Sequence, residues 1–265
     1  MLRRRVIVCL DVRGDQVVKG VRFAGLRVVG DPAELAARYE AAGADEVVIL
    51  DVAAAAAGRA TLLDVVRRTA EALFVPLTVG GGIRELADVE AALLAGADKV
   101  SVNSAAVRRP ALLGEAAERF GSQCVVASID ARREAAAFSS TGWGYRAFTH
   151  GGRRATGLDA IDWARRCAAL GAGEILITSI DEDGRREGYD LELTGAVVRA
   201  VTVPVIASGG AGCPEHLRDA FLVAGADAAL VAGILHDGET TVGALKRALA
   251  EAGIPVRPAP AEAAA

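Results

Sequence analysis

The sequence predicts a single α/β domain, a (β/α)8 barrel built from two similar half-barrels, and three observations carry that prediction. Eight short runs rich in Val and Ile recur along the chain, each followed by Gly or Asp. Between them lie stretches such as DPAELAARYEAAG (31–43) and ELADVEAALLAG (85–96). These have acids at the start, apolar residues at i, i+3 and i+4, and Gly at the end, which is a helical pattern with its stop signal. The length of 265 residues suits one barrel of about 250 residues. Strands alternating with helices give a parallel sheet, most simply a closed barrel; a doubly wound open sheet is the alternative. The barrel is expected over residues 1–257, and the remaining PAPAEAAA (258–265) reads as a disordered tail.

Taken in order, the runs are RVIVCLDV (5–12), EVVILDV (46–52), PLTVGGGI (76–83), DKVSVNS (98–104), CVVASIDA (124–131), EILITSID (174–181), PVIASGGAG (204–212) and DAALVAG (227–233). All are too short for helices and lack polar alternation, as strands buried on both faces do. The longest connections follow the first and fifth, around 12–30 and 132–158. Long loops after barrel strands overhang the catalytic face and usually carry function.

The chain also repeats. GADEVVILD at 43 parallels GAGEILITSID at 171, and PLTVGGGI at 76 parallels PVIASGGAG at 204, both at an offset of 128. AGADKVSVNSAAV at 95 parallels AGADAALVAGIL at 224. Asp11 and Asp130 end equivalent strands of the two halves, so they are expected to face each other across the barrel mouth. An Asp after a strand often only caps the next turn. Equivalence under the repeat favours the functional reading, a general acid and a general base on opposite sides of a substrate.

Gly80-Gly81-Gly82 and Gly209-Gly210 follow the third and seventh strands, and Asn103-Ser104 and Ala232-Gly233 the fourth and eighth. Such loops either merely turn the chain or aim backbone N–H groups at phosphate oxygens. Their presence in both halves suggests two phosphate sites and a long substrate with a phosphate at each end. Arg5, Glu46, Lys99 and Glu174 start the first, second, fourth and sixth strands. Position alone reads them as a solvated stability face, although two charges of each sign could close a ring.

A net charge of −4 with 4% aromatic residues lacks the basic surface and stacking groups of a nucleic-acid binder. No apolar stretch reaches the roughly 18 residues of a membrane span, and the start MLRRRVIVCLDV lacks a signal-peptide core. A cytoplasmic location is expected. Cys9, Cys124, Cys167 and Cys213 form no CxxC pair, and His150, His216 and His236 stand alone. The cysteines read as thiols in a reducing compartment, with no metal site and no cofactor expected.

The stretches CLDV, VVKG, GDPAELA, VGGGI, GADKVSVNSAAV, FGSQ, IDA, TGLDAIDWA, GAGEILITSID and VIASGGAG occur in that order over residues 3–257. They resemble the cyclase subunit of imidazole glycerol phosphate synthase. VGGGI is shared with related phosphate-binding barrels, whereas GADKVSVNSAAV and GAGEIL are specific to this subunit. The sister carboxamide isomerase of histidine biosynthesis has the same half-barrel repeat but a different first strand.

The resemblance implies a reaction. Ammonia from a separate glutaminase subunit, the partner in a heterodimer, would be added to a ribulosyl aminoimidazole carboxamide nucleotide bearing two phosphates, which then splits in two. It implies that Asp11 and Asp130 are the acid/base pair and that Lys19 sits on a mobile first loop. Gly82, Asn103 and Ser104 would hold one phosphate, and Gly184, Gly210, Ala232 and Gly233 the other. Thr178, Asp183, Ser208 and Gly209 join the substrate-binding set. Arg5, Glu46, Lys99 and Glu174 would gate ammonia entry, with Asp98 facing the partner. Departures are local: Gly233 stands where the family usually has Ser, Val28 replaces an acid, and one extra residue precedes AGAD at 224.

Overall fold

The computed structural model describes residues 2–21, 24–52, 59–134 and 141–260. Its eight parallel strands form a closed ring in the order β1 (Arg5–Arg13), β4 (Glu46–Asp51), β5 (Leu77–Gly80), β6 (Lys99–Val102), β7 (Val125–Arg133), β10 (Glu174–Ser179), β11 (Val205–Ser208) and β12 (Ala228–Val231). β12 pairs with β1 and β7 with β10, so no edge is left open. The expected barrel is thereby found, closed rather than open.

Each connection after a barrel strand carries a helix on the outer face: α1 (Pro32–Ala41), α2 (Arg59–Ala72), α3 (Leu86–Leu94), α5 (Ala111–Phe120), α6 (Ala160–Ala169), α7 (Leu191–Ala200), α8 (Pro214–Leu222) and α10 (Val242–Glu251). Alternation along each strand sorts side chains between two compartments. Val6, Val8 and Leu10 point outward into the layer under the helices, while Ile7, Cys9, Val48, Val126, Leu176, Ile206 and Leu230 fill the barrel interior. Arg5 and Asp11 share the parity of Ile7 and Cys9, which places them at the bottom and top of the same inward column.

The strand starts are fixed by a local device that the Gly-Ala-Asp triplets encode. Gly43, Gly96 and Gly225 leave their helices with positive φ, the conformation glycine adopts most easily. The following Ala is buried. The Asp then accepts a backbone N–H from the neighbouring strand: Asp45 from Val6 at 2.9 Å, Asp98 from Leu77 at 2.8 Å and Asp227 from Val205 at 3.1 Å. In the fourth copy, Gly-Ala-Gly, a Cβ on Gly173 would lie 2.2 Å from the Ser122 carbonyl oxygen, so no Asp fits there.

The structure adds elements where the sequence predicts loops or strand ends. The connection after β1 folds as a hairpin, β2 (Gln16–Val21) and β3 (Ala24–Gly30), and that after β7 as β8 (Tyr145–Thr149) and β9 (Arg154–Asp159). Both hairpins deliver an aspartate that caps the next helix. Asp31 accepts the N–H groups of Ala33 and Glu34, and Asp159 those of Ile161 and Asp162, at equivalent places in the sequence repeat. Two short helices, α4 (Ser104–Arg108) and α9 (Gly233–His236), begin where strand ends were expected; β6 and β12 stop at Val102 and Val231 because the chain turns into them. Of the expected tail, residues 261–265 lie outside the described residues, while Ala259 packs beside Gly43.

Candidate active site

β1 and β7 stand four places apart in the ring of eight, so Asp11 and Asp130 sit on opposite sides of the mouth. Both are half-buried. Burial pushes the Asp11 carboxyl up to about 7, with the negative charge of Asp183 adding to it and a weak Cys9 thiol contact opposing. Asp130 is raised to about 6 by the same burial and the same Asp183 charge. It is held lower by the Gly152 N–H and by the Asn103 amide, which donates to it at 3.0 Å. Two carboxyls with raised and unequal pKa values near neutrality are suited to exchanging protons with a substrate held between them.

On the side of β5 and β6, Gly81 and Gly82 both have positive φ for different reasons. A Cβ on Gly81 would meet the Asp51 carbonyl oxygen at 2.4 Å, whereas nothing lies within 4 Å of one on Gly82. Gly81 is needed for packing, and Gly82 faces open space. That space is a cavity of about 780 Å³ running from Gly82, Asn103 and Ser104 down to Ser101, Ser128 and Asp130. Arg13, Arg84, Arg108 and Arg153 also line it, a cationic wall whose members share no motif in the sequence. Ser104 accepts the His150 N–H at 3.0 Å, which ties α4 to the turn between β8 and β9.

On the opposite side, Thr178 and Ser208 are register partners at the ends of β10 and β11, and Thr178 also pairs with Asp130. Asp183 and Gly184 lie in the next turn, where the Asp183 N–H returns to the Ser179 carbonyl at 3.0 Å. Gly209 and Gly210 are glycines for packing: added Cβ atoms would lie 2.7 Å from the Ser179 carbonyl oxygen and 1.9 Å from that of Gly188. Ala232 precedes α9, which Gly233 starts. Lys19 crosses from β2 to donate to the Gly233 carbonyl at 3.1 Å and pairs with Asp237. Val28 is exposed on β3, and nothing in the structure explains its replacing an acid.

Sequence reasoning missed His236. It shares a 2.7 Å hydrogen bond with the Tyr39 hydroxyl through Nδ1 and a 3.0 Å one with the Cys9 carbonyl through Nε2. Burial drops its pKa to about 4, so the ring is a neutral strut holding α9 against β1.

At the barrel bottom the four charges close a ring of alternating sign. Arg5 donates to Glu46 at 2.9 Å and Glu174 at 2.6 Å, and Lys99 bonds Glu46 at 3.0 Å and Glu174 at 2.8 Å. Thr78 adds a hydroxyl bond to Glu46 at 2.6 Å. Burial works against the Arg5 charge, but Glu174 and Glu46 outweigh it and raise its pKa. The solvated-face reading does not hold for Glu46, whose side chain is 1% exposed. Asp98 is exposed beside the ring.

Comparison with known proteins agrees with this architecture. Residues 5–241 match the family described as histidine biosynthesis protein. The chain is 65% identical over 257 residues to the imidazole glycerol phosphate synthase subunit HisF of Myxococcus xanthus strain DK1622, covering 97% of this chain and 99% of that protein. The chain belongs to the histidine biosynthesis protein family and, within it, to the HisF subunits of imidazole glycerol phosphate synthase.

Proposed function

We propose that the chain is the ammonia-using cyclase of the synthase. Its substrate would be the bisphosphorylated ribulosyl formimino aminoimidazole carboxamide nucleotide, and its products imidazole glycerol phosphate and aminoimidazole carboxamide ribotide. The observation that carries this reading is the pair of opposed carboxyls, Asp11 and Asp130, lying between two glycine-lined strand-end loops. A long substrate anchored by a phosphate at Gly82, Asn103 and Ser104 and another at Gly184, Gly210 and Gly233 would span the mouth. Its reactive middle would then lie between the aspartates. Thr178, Ser208 and Gly209 line the span beside Asp130, and Lys19 closes over the second phosphate.

Ammonia adds to the carbonyl and water leaves to give an imine; that nitrogen then bonds to the formimino carbon, closing a ring as the bond to the departing amine breaks. Each proton transfer gives a proton to the leaving oxygen or nitrogen and takes one from the incoming nitrogen. A carboxyl still protonated near neutrality supplies the first, and its ionised counterpart opposite accepts the second. Ammonia would come from a glutaminase subunit docked on the barrel bottom against Asp98. It would enter through the ring of Arg5, Glu46, Lys99 and Glu174 and pass Thr78, Ser101 and Ser128. Among the described residues no helix is long and apolar enough to cross a membrane; we assign the chain to the cytoplasm, in keeping with four free thiols.

The test is turnover of the nucleotide with ammonium salt. Asp11→Asn and Asp130→Asn should each lower kcat by about 100-fold or more, the range of a lost general acid or base. KM should move much less, because the phosphates supply most ground-state binding. Near-normal turnover in both variants would remove the acid/base assignment.

A further inference from the structure

The proposed second phosphate loop is crossed by an ion-pair cluster with no counterpart in the first half among the described residues. Lys19 on β2, Arg27 on β3 and Arg186 in the turn between β10 and α7 all converge on the carboxylate of Asp237. Arg186 also pairs with Glu239. Three cations from three separate segments therefore share one anion.

The position of that anion gives the cluster its meaning. Asp237 follows α9 directly, and its N–H bonds the Gly233 carbonyl at 3.1 Å, one helical turn from the start of α9. Nitrogens of Lys19 and Arg186 stand 3.7 Å from where a Cβ on Gly233 would lie. The cations are thus already within reach of an oxyanion bound at the Gly233 N–H. Arg186 has φ +63°, a left-handed conformation uncommon for a residue other than glycine, so its backbone is held out of the usual regions while it makes these contacts. A guanidinium fork binds carboxylate and phosphate oxygens by the same geometry. The Asp237 side chain is 21% exposed, leaving the cluster open to exchange with solute anions.

We propose that Asp237 is a resident counter-anion of the second phosphate site, competing with the substrate phosphate for Lys19, Arg27 and Arg186 and thereby setting the affinity of that site. The inference rests on the reading of Gly210 and Gly233 as phosphate-binding. The bond to Lys19 and the charge of Arg186 hold the Asp237 carboxyl down to about 2, so it competes as a full negative charge at any neutral pH. By pairing with β2 and β3 at once, the same carboxylate straps their hairpin to α9 until phosphate takes over the cations.

The experiment titrates the full chain with inorganic phosphate and follows amide resonances. Gly210 and Gly233 report the second site; Gly82 and Ser104 report the first as an internal control. Asp237→Asn should tighten phosphate binding at Gly210 and Gly233 by roughly 10-fold, since a partly exposed charge competing for three cations is removed. Binding at Gly82 and Ser104 should stay as in the wild type. Asp237→Ser, which deletes the carboxylate differently, should act in the same direction. Unchanged or weaker phosphate binding at Gly210 and Gly233 in both variants overturns the proposal. Absence of wild-type turnover with ammonium salt would instead remove the reaction assigned above, and the binding comparison would still decide the role of Asp237.

Discussion

If the ring gates ammonia as proposed, replacing Lys99 by alanine should separate delivery of ammonia from its chemistry. In the intact ring two cations balance two carboxylates; without Lys99 the ring carries a net charge of −1, with Arg5 left to serve both Glu46 and Glu174. Breaking a buried ion pair costs about 3–5 kcal/mol. Lys99 and Arg5 retain 15% and 25% side-chain exposure, and Arg5 still reaches both acids, so the lower end applies, about 3 kcal/mol. At about 2–4 °C per kcal/mol for a chain of this size, the melting temperature should fall by roughly 6–12 °C, which leaves the barrel folded at 25 °C. Lys99→Arg, which keeps the charge, should recover most of that loss.

The catalytic readout would use the complex with the proposed glutaminase subunit and compare two ammonia sources. Glutamine-dependent turnover should change by about tenfold or more in Lys99→Ala, and turnover with ammonium salt by less than about threefold, because a gating group acts on delivery and not on the chemical step. Both assays use the same aspartates and the same phosphate loops, so any damage to the mouth would lower them together. Equal losses would mean that the ring only supports the fold, and the gate reading would fall.

The pair Asp11 and Asp130 should give a bell-shaped kcat/KM at fixed free-ammonia concentration, with limbs belonging to the pair near about 6 and about 7. Asp183→Asn removes a charge that raises both carboxyls, so both limbs should move to lower pH; an unshifted profile would contradict that coupling. Both folded-state values lie above the ordinary 3.8, so the stability these groups contribute is complete below about pH 4 and is lost as pH rises through 6 and 7. Asp11→Asn should therefore raise the melting temperature at pH 8, and a lower one would count against the burial argument. Gly82→Ala meets no atom within 4 Å and should fold with roughly 1–2 kcal/mol of left-handed strain while raising KM. Gly210→Ala, 1.9 Å from the Gly188 oxygen, should destabilise the chain far more, and equal melting temperatures for the two would refute the distinction. Gly233 lacks a positive φ and has Lys19 and Arg186 nitrogens at 3.7 Å, so Gly233→Ser should fit and lower KM roughly two- to tenfold through one added hydrogen bond. A rise in KM would show that the hydroxyl is unwelcome there.

What the sequence made legible follows from local rules. A carboxylate ending an apolar run that is buried on both faces conflicts with burial, and Asp11 and Asp130 show that conflict in both halves. The ring at the bottom was legible as signs and positions, but its closure depends on side-chain lengths meeting at the barrel axis. The hairpin of β1 and β2 carries a local signal: Gly14-Asp15 between two Val-rich runs, with Arg13 pairing Gln16, is a two-residue turn pattern. By contrast, His236 meets Cys9 and Tyr39 across 227 and 197 residues, and Asp237 gathers cations from two strands of one hairpin and a distant turn. Neither leaves any periodicity or spacing to read, because each depends on tertiary placement alone.

The repeat also explains what it cannot supply. Two equivalent strands put Asp11 and Asp130 in equivalent backbone positions, and a strictly symmetric mouth would give them equal proton affinities. On the acid/base proposal the two must differ, and their hydrogen-bond partners do differ. Asp130 receives the Asn103 amide at 3.0 Å and the Gly152 N–H, both of which favour its charged form. Among the described residues Asp11 has the Cys9 thiol at 3.7 Å, a weak donor that does little to offset burial. Asp183, set against both, keeps the pair from ionising fully together. Both carboxyls are raised toward neutrality by burial and by Asp183, and they titrate as a pair. The backbone thus sets where the two groups stand, and one asparagine side chain with one backbone amide, both acting on Asp130, makes their surroundings unequal.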